Sequence, residues 1–75
     1  MTTDLNHILI FKTSIQTECD RQRLQNTLDA NEHIQQWNID LQDVDRVLRI
    51  VSKTLAPQQI ISVINHNGFE CAELE

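Results

Sequence analysis

The alternation of apolar and polar residues predicts two strands of a sheet. In residues 34–41, the apolar side chains of Trp37, Ile39 and Leu41 occupy every second position and polar residues lie between them. A period of two places one apolar face on a core and one polar face toward water. The run His7–Lys12 is apolar on both faces, which predicts a central strand with a neighbour on each side.

A helix is predicted after the first strand. Thr17 offers a capping hydroxyl, Asp20 follows three residues later, and Leu24 and Leu28 are spaced by one helical turn. Asn31 stands where the helix should close and is one of the few residues that adopt a left-handed conformation readily. The turn-prone segment 29–32 should therefore end this helix, with Asn31 as the candidate for its left-handed residue.

The second half of the chain repeats the order strand, helix, strand. Residues 46–51 form a β-branched run that should pair with the preceding strand as a hairpin. Pro57 suits the first turn of a second helix, and Gly68 suits the left-handed cap that ends it. Residues 69–74 then predict a fourth strand at an edge of the sheet.

The order βαββαβ predicts a ferredoxin-like α+β fold over residues 1–75, with two helices on one face of a four-stranded antiparallel sheet. We expect one domain. Its predicted core contains Ile8, Ile10, Leu24, Leu28, Trp37, Ile39, Leu48, Ile50, Ile60, Ile64 and Leu74.

The charge balance and the lack of targeting signals restrict the function. Six Lys and Arg against eleven Asp and Glu give a net charge of −5, which disfavours binding to nucleic acid phosphates or anionic lipid. The start lacks a cationic signal region, and no apolar run is long enough to span a bilayer, so we expect a cytoplasmic protein without membrane contact. The sequence contains neither a Gly-rich phosphate-binding loop nor a recognisable Ser-His-Asp pattern, so it gives no indication of an enzyme.

The element order and three features resemble the heavy-metal-associated domain family, which includes copper chaperones and the amino-terminal modules of metal-transporting ATPases. These features are the apolar first strand, the acidic turn Asp40-Leu41-Gln42-Asp43, and Gly68-Phe69 before the last strand. The resemblance covers nearly the whole chain and implies the same ferredoxin-like fold.

The metal-binding loop of that family is altered here. The family carries Gly-Met-x-Cys-x-x-Cys between the first strand and first helix, where two thiolates hold Cu(I) or Zn(II). Aligned without a gap, Gln16 replaces the first cysteine and Cys19 retains the second, whereas alignment on the helix leaves neither position as cysteine. One thiolate and a carboxamide form a poor soft-metal site. The resemblance therefore supports the fold and argues against the family's activity.

Three residues still suggest an alternative soft-metal site. The predicted topology brings Cys19, His66 and Cys71 to one end of the sheet, and Cys and His are the ligands that Cu(I) and Zn(II) prefer. Burial of free cysteines as small apolar groups explains the same residues without a metal. The acidic group of Asp40, Asp43 and Asp45 lacks the Gly and distal Glu of a Ca²⁺ loop, which favours a solvated hairpin turn.

The leading hypothesis is a non-catalytic module for protein interaction or self-association. If Leu48 and Ile50 face the helices, the open side of the sheet should carry an apolar patch of Leu9, Phe11, Val47 and Val51. Such a patch favours a protein partner or a homodimer. A register error of one residue would exchange the two faces, and small-ligand sensing remains a third hypothesis by analogy of fold alone.

Overall fold

The computed structural model describes residues 8–74 and shows the ferredoxin-like α+β fold. The sheet is antiparallel with the order β2-β3-β1-β4, so β1 is central and β4 lies at an edge, as predicted. His7, the predicted first residue of β1, lies outside the described residues. The elements are β1 (Ile8–Thr13), α1 (Glu18–Asp29), β2 (Gln36–Asp40), β3 (Val47–Val51), α2 (Pro57–His66) and β4 (Cys71–Glu73).

Both predicted signals of α2 are confirmed. Pro57 is the first residue of α2, where a backbone N–H would have no acceptor within the helix, so the lack of an N–H in proline costs no hydrogen bond. Gly68 has a φ of 91°, a left-handed conformation that costs glycine little. The prediction for Asn31 is wrong, because Arg46 is the non-glycine residue with positive φ in the described chain. The Asn31 side chain instead accepts a hydrogen bond from the His33 N–H at 2.9 Å.

The amino terminus of α1 is closed by the predicted capping box. The Asp20 N–H donates to Thr17 Oγ1 at 3.1 Å, and the Thr17 N–H donates to Asp20 Oδ2 at 3.2 Å. The Gln16 N–H donates to the same carboxylate oxygen at 3.1 Å. Because these amides stabilise the carboxylate, with Gln16 contributing most, the pKa of Asp20 lies below its ordinary value.

This pKa shift predicts how the stability contribution of Asp20 depends on pH. A carboxylate whose pKa is lower in the folded state than in the unfolded state stabilises the fold at pH values above its unfolded-state pKa. This stability is lost as the pH falls through the folded-state pKa. We expect the stability difference between wild type and Asp20→Asn to be largest at neutral pH and to shrink below about pH 4. Urea denaturation across this range measures it. A difference that grows as the pH falls would contradict the capping role.

The core lies between the sheet and the two helices. Six of its fully buried side chains were predicted from the sequence, and two were missed. The missed residues are Phe11 of β1 and Ile15 of the loop before α1. Trp37 and Ile39 are half-buried and pack against this core. The six confirmed residues are Leu24, Leu28, Leu48, Ile50, Ile60 and Ile64.

The predicted face of β1 is wrong. Leu9 is paired with Ile50 and Phe11 with Leu48, so the odd-numbered residues of β1 face the helices. Residues directly opposite each other in an antiparallel pair share one face of the sheet. Ile8 and Ile10 consequently lie on the other face. Leu74, whose N–H donates to the Ile10 carbonyl at 3.0 Å, lies opposite Ile10 on that same face.

Candidate interaction surface

Loops from both halves of the fold meet at one end of the sheet, as the topology predicted. The Ser14 N–H donates to the Glu70 carbonyl at 3.1 Å, and the Glu70 N–H donates to Ser14 Oγ at 2.8 Å. These bonds join the loop after β1 to the segment before β4. The end of β1 and the start of β4 are thereby held together.

The turn between β2 and β3 lies at this end too, which sequence reasoning missed. The Thr13 N–H donates to the Asp45 carbonyl at 3.1 Å, and Thr13 Oγ1 donates to the Arg46 carbonyl at 2.7 Å. The signal was available, because antiparallel pairing of β1 with β3 requires the end of β1 to lie beside the start of β3.

Arg46 links this turn to the loop before α1. Its backbone adopts a φ of 49°, and its guanidinium Nη1 donates to the carbonyls of Gln16 and Leu41. A guanidinium presents several donors in a fixed plane and can therefore join two chain segments at once. The arrangement assigns Arg46 a structural role.

The acidic turn is stabilised by its own carboxylates. Asp40 Oδ1 accepts hydrogen bonds from the N–H groups of Gln42 at 3.0 Å and Asp43 at 3.2 Å. Asp43 Oδ1 accepts one from the Asp45 N–H at 2.8 Å. Aspartate side chains bond to nearby backbone amides in this way in many turns. These contacts favour the solvated hairpin turn over a cation site.

The three suggested soft-metal ligands have different surroundings. Cys19 is exposed at the second position of α1, while Cys71 is half-buried and packs against the core. Burial raises the pKa of the Cys71 thiol to about 11, so this thiol is protonated at neutral pH. His66 is exposed and lines a shallow depression with Thr27 and Ser62. Within residues 8–74, no three His, Cys, Asp or Glu side chains are arranged as metal ligands.

A soft-metal site formed by Cys19 and Cys71 alone stays a prediction and can be tested directly. From the two thiol environments, we expect native mass spectrometry under reducing conditions to show equal Cu(I) or Zn(II) uptake by wild type and a Cys19→Ser/Cys71→Ser variant. Stoichiometric uptake by wild type that the double variant loses would establish the metal carrier.

A depression at the loop end offers little to a small ligand. It is lined by residues that include Lys12, Asp45, Glu70 and Cys71, and so carries charges of both signs. Buried polar side chains in residues 8–74 all have hydrogen-bond partners, so none of them requires a ligand to satisfy it. The geometry does not favour small-ligand sensing.

The face of the sheet opposite the helices is here called the open face. Val47 and Val51 lie on it, as predicted, because their strand neighbours Leu48 and Ile50 face the core. The predicted positions of Leu9 and Phe11 on this face are wrong. Phe11 is fully buried, and Leu9 packs against the core. The described strand residues of the open face are Ile8, Ile10, Lys12, Gln36, Asn38, Asp40, Val47, Arg49, Val51 and Ala72, with Leu74 just beyond β4.

Exposure differs among the apolar side chains of the open face. Ile10 is 39% exposed, whereas Val47 is 4% exposed. Phe11 pairs with Leu48, so the next residue of β1, Lys12, lies beside Val47. Arg49 is two residues from Val47 along β3 and lies on the same face. Long cationic side chains shield neighbouring apolar groups with their aliphatic stems. The open face therefore combines apolar residues of β1 and β3 with the cations Lys12 and Arg49, while the polar residues Gln36, Asn38 and Asp40 of β2 lie along one side of it.

No helix among residues 8–74 combines the length and the apolar character that crossing a membrane requires. Comparison with protein-family models, with curated proteins and with solved structures finds no match for this chain. Its fold and the chemistry of its surfaces therefore carry the functional conclusion.

Proposed function

We propose that the chain is a non-catalytic protein-interaction module that resembles a heavy-metal-associated domain without its metal motif and contacts its partner through the open face. The observation that carries this proposal is the apolar surface centred on Ile10. Ile8, Val51 and Leu74 are half-buried on the same face. A sheet covered by helices on one side can bury its second face against another layer.

The Ile10→Lys variant tests this proposal. Ile10 lies outside the core, so the lysine leaves the helix-facing packing intact and places a charge in the apolar part of the open face. Gln22→Lys, at an exposed position of α1, is the matched control with the same change of charge. Light scattering reports self-association, and affinity capture reports partners of other kinds.

We expect wild type and Gln22→Lys to retain the same associated protein, or the same dimer, and Ile10→Lys to lose it. Burying a lysine ammonium without a partner group is unfavourable, which accounts for the expected loss. Strictly monomeric behaviour with no partner lost on Ile10→Lys would contradict the proposal.

A further inference from the structure

The cations of the open face restrict what can cover it. Arg49 is opposite Ile10 of β1 on one side and Asn38 of β2 on the other, so it lies near the middle of the sheet. Val47 and Val51 flank it along β3 on the same face. An occupant of the apolar surface must therefore meet the Arg49 guanidinium as well.

The local charge of the open face is opposite to the charge of the whole chain. The chain carries a net charge of −5, yet the described strand residues of the open face include Lys12 and Arg49 and one carboxylate, Asp40. Asp40 lies at the end of β2, and its Oδ1 accepts two backbone amides of the turn. Lys12 lines the loop-end depression together with the acidic residues Asp45 and Glu70, whereas Arg49 does not line it. Arg49 is therefore the cation that is more available to a partner.

A second copy of the chain is a poor occupant of this face. Two-fold symmetric dimers place the same patch of both subunits in contact, which would bring the two cationic faces together. Like charges in close contact across an interface are destabilising and disfavour the pairing. A partner with carboxylates among apolar side chains has the complementary chemistry.

We propose that the open face binds an amphipathic helix of a different protein, with carboxylates beside its apolar stripe and one of them paired with Arg49. The inference rests on the proposed function and specifies the partner. A helix is the layer that covers the other face of this sheet, and it can present an apolar stripe to a flat apolar surface. Lys12 and Arg49 are diagonal neighbours, about 7 to 8 Å apart at their positions in the sheet.

This separation predicts the spacing of the acidic residues in the partner. Side chains three or four residues apart on a helix are neighbours about 5 to 6 Å apart at their Cβ atoms. Two carboxylates with that spacing can reach Arg49 and Lys12 with small adjustments of the long cationic side chains. The partner helix should therefore carry Asp or Glu at positions i and i+3 or i+4 beside its apolar stripe.

A displayed library of designed amphipathic helices tests the inference. The probes share an apolar stripe and are randomised at the positions beside it, and they are selected on the immobilised wild-type chain. Arg49→Glu is the test variant. Arg23→Glu is the matched control, because it makes the same change of charge at an exposed position of α1, in the helix layer. The Arg23 guanidinium carbon lies 5.6 Å from the Phe69 ring centre.

We expect enriched probes to carry paired Asp or Glu residues, and their affinity to fall about tenfold or more on Arg49→Glu but not on Arg23→Glu. Raising the salt concentration should weaken binding to wild type. Enrichment of basic or uncharged probes, equal affinity for wild type and Arg49→Glu, or no enrichment would overturn the inference. Amide spectra of both variants establish that they are folded.

Ile10→Lys separates this inference from the proposed function. If binding depends on Ile10 but not on Arg49, the open face is an interaction surface and the acidic-helix inference fails. If wild type forms a dimer that Ile10→Lys dissociates, the open face is likewise an interaction surface and the acidic-helix inference likewise fails. If neither variant weakens binding, the proposed function and the inference fail together.

Discussion

We expect Phe11→Ala to lower the free energy of unfolding by about 3 to 5 kcal/mol, the range for truncation of a buried phenylalanine. Phe11 is fully buried among core residues from both helices and β3. Ile10→Ala should cost about 1 kcal/mol or less, because Ile10 lies outside the core on the open face. Urea denaturation of the two variants measures the difference.

The comparison stays informative if Phe11→Ala is unfolded. A domain of this size has a stability of roughly 4 to 11 kcal/mol, so the alanine variant can lose most of it. Phe11→Leu removes less volume and should remain folded while still costing more than Ile10→Ala. Equal losses at positions 10 and 11, or a larger loss at position 10, would show that the face of β1 described above is wrong.

The second large effect is expected at Arg46. Arg46→Ala removes the guanidinium bonds to Gln16 and Leu41 and leaves a residue with a Cβ at a φ of 49°. Hydrogen bonds from charged groups contribute about 1.5 to 3 kcal/mol, and partial exposure lowers that, so we expect a loss of about 1 to 3 kcal/mol. Urea denaturation measures this loss.

Arg46→Gly is the matched control. It removes the same guanidinium bonds but adopts positive φ without a Cβ clash, so it should lose less stability than Arg46→Ala. Wild-type stability in both variants would contradict the role of Arg46 in joining the β2–β3 turn to the loop before α1.

Much of the fold follows from local sequence signals. The Thr17–Asp20 capping box, Pro57 at the first turn of α2 and the left-handed Gly68 each act within a few residues. Such signals do not depend on the rest of the fold. The alternation in β2 is equally clear, because Asn38 separates Trp37 from Ile39 and Asp40 separates Ile39 from Leu41.

The face of β1 could not be predicted from its apolar residues alone. All of positions 8–11 are apolar, so an assignment shifted by one residue buries the same kinds of side chain. The structure shows which signal was overlooked. Lys12 is in phase with Ile8 and Ile10, and Arg49 is in phase with Val47 and Val51, so each cation marks the open face.

This correction changes the chemistry of the candidate surface. The patch predicted from the sequence was purely apolar, whereas the open face combines Ile10, Val47 and Val51 with Lys12 and Arg49. The chain as a whole carries a net charge of −5, but the local charges of this face favour an acidic partner. The mixed chemistry of the face and its preference for an acidic partner both depend on the pairing of β1 with β3, because the sequence does not record which residues lie opposite each other.

The most direct test of the open face as the interaction surface is a measurement of intermolecular nuclear Overhauser effects. The methyl groups of the chain are isotope-labelled, and an enriched helical probe is bound unlabelled. We predict contacts from the probe to the methyl groups of Ile10, Val51 and Leu74. Contacts confined to methyl groups of the helix layer, such as those of Ile61 and Val63, would contradict this prediction.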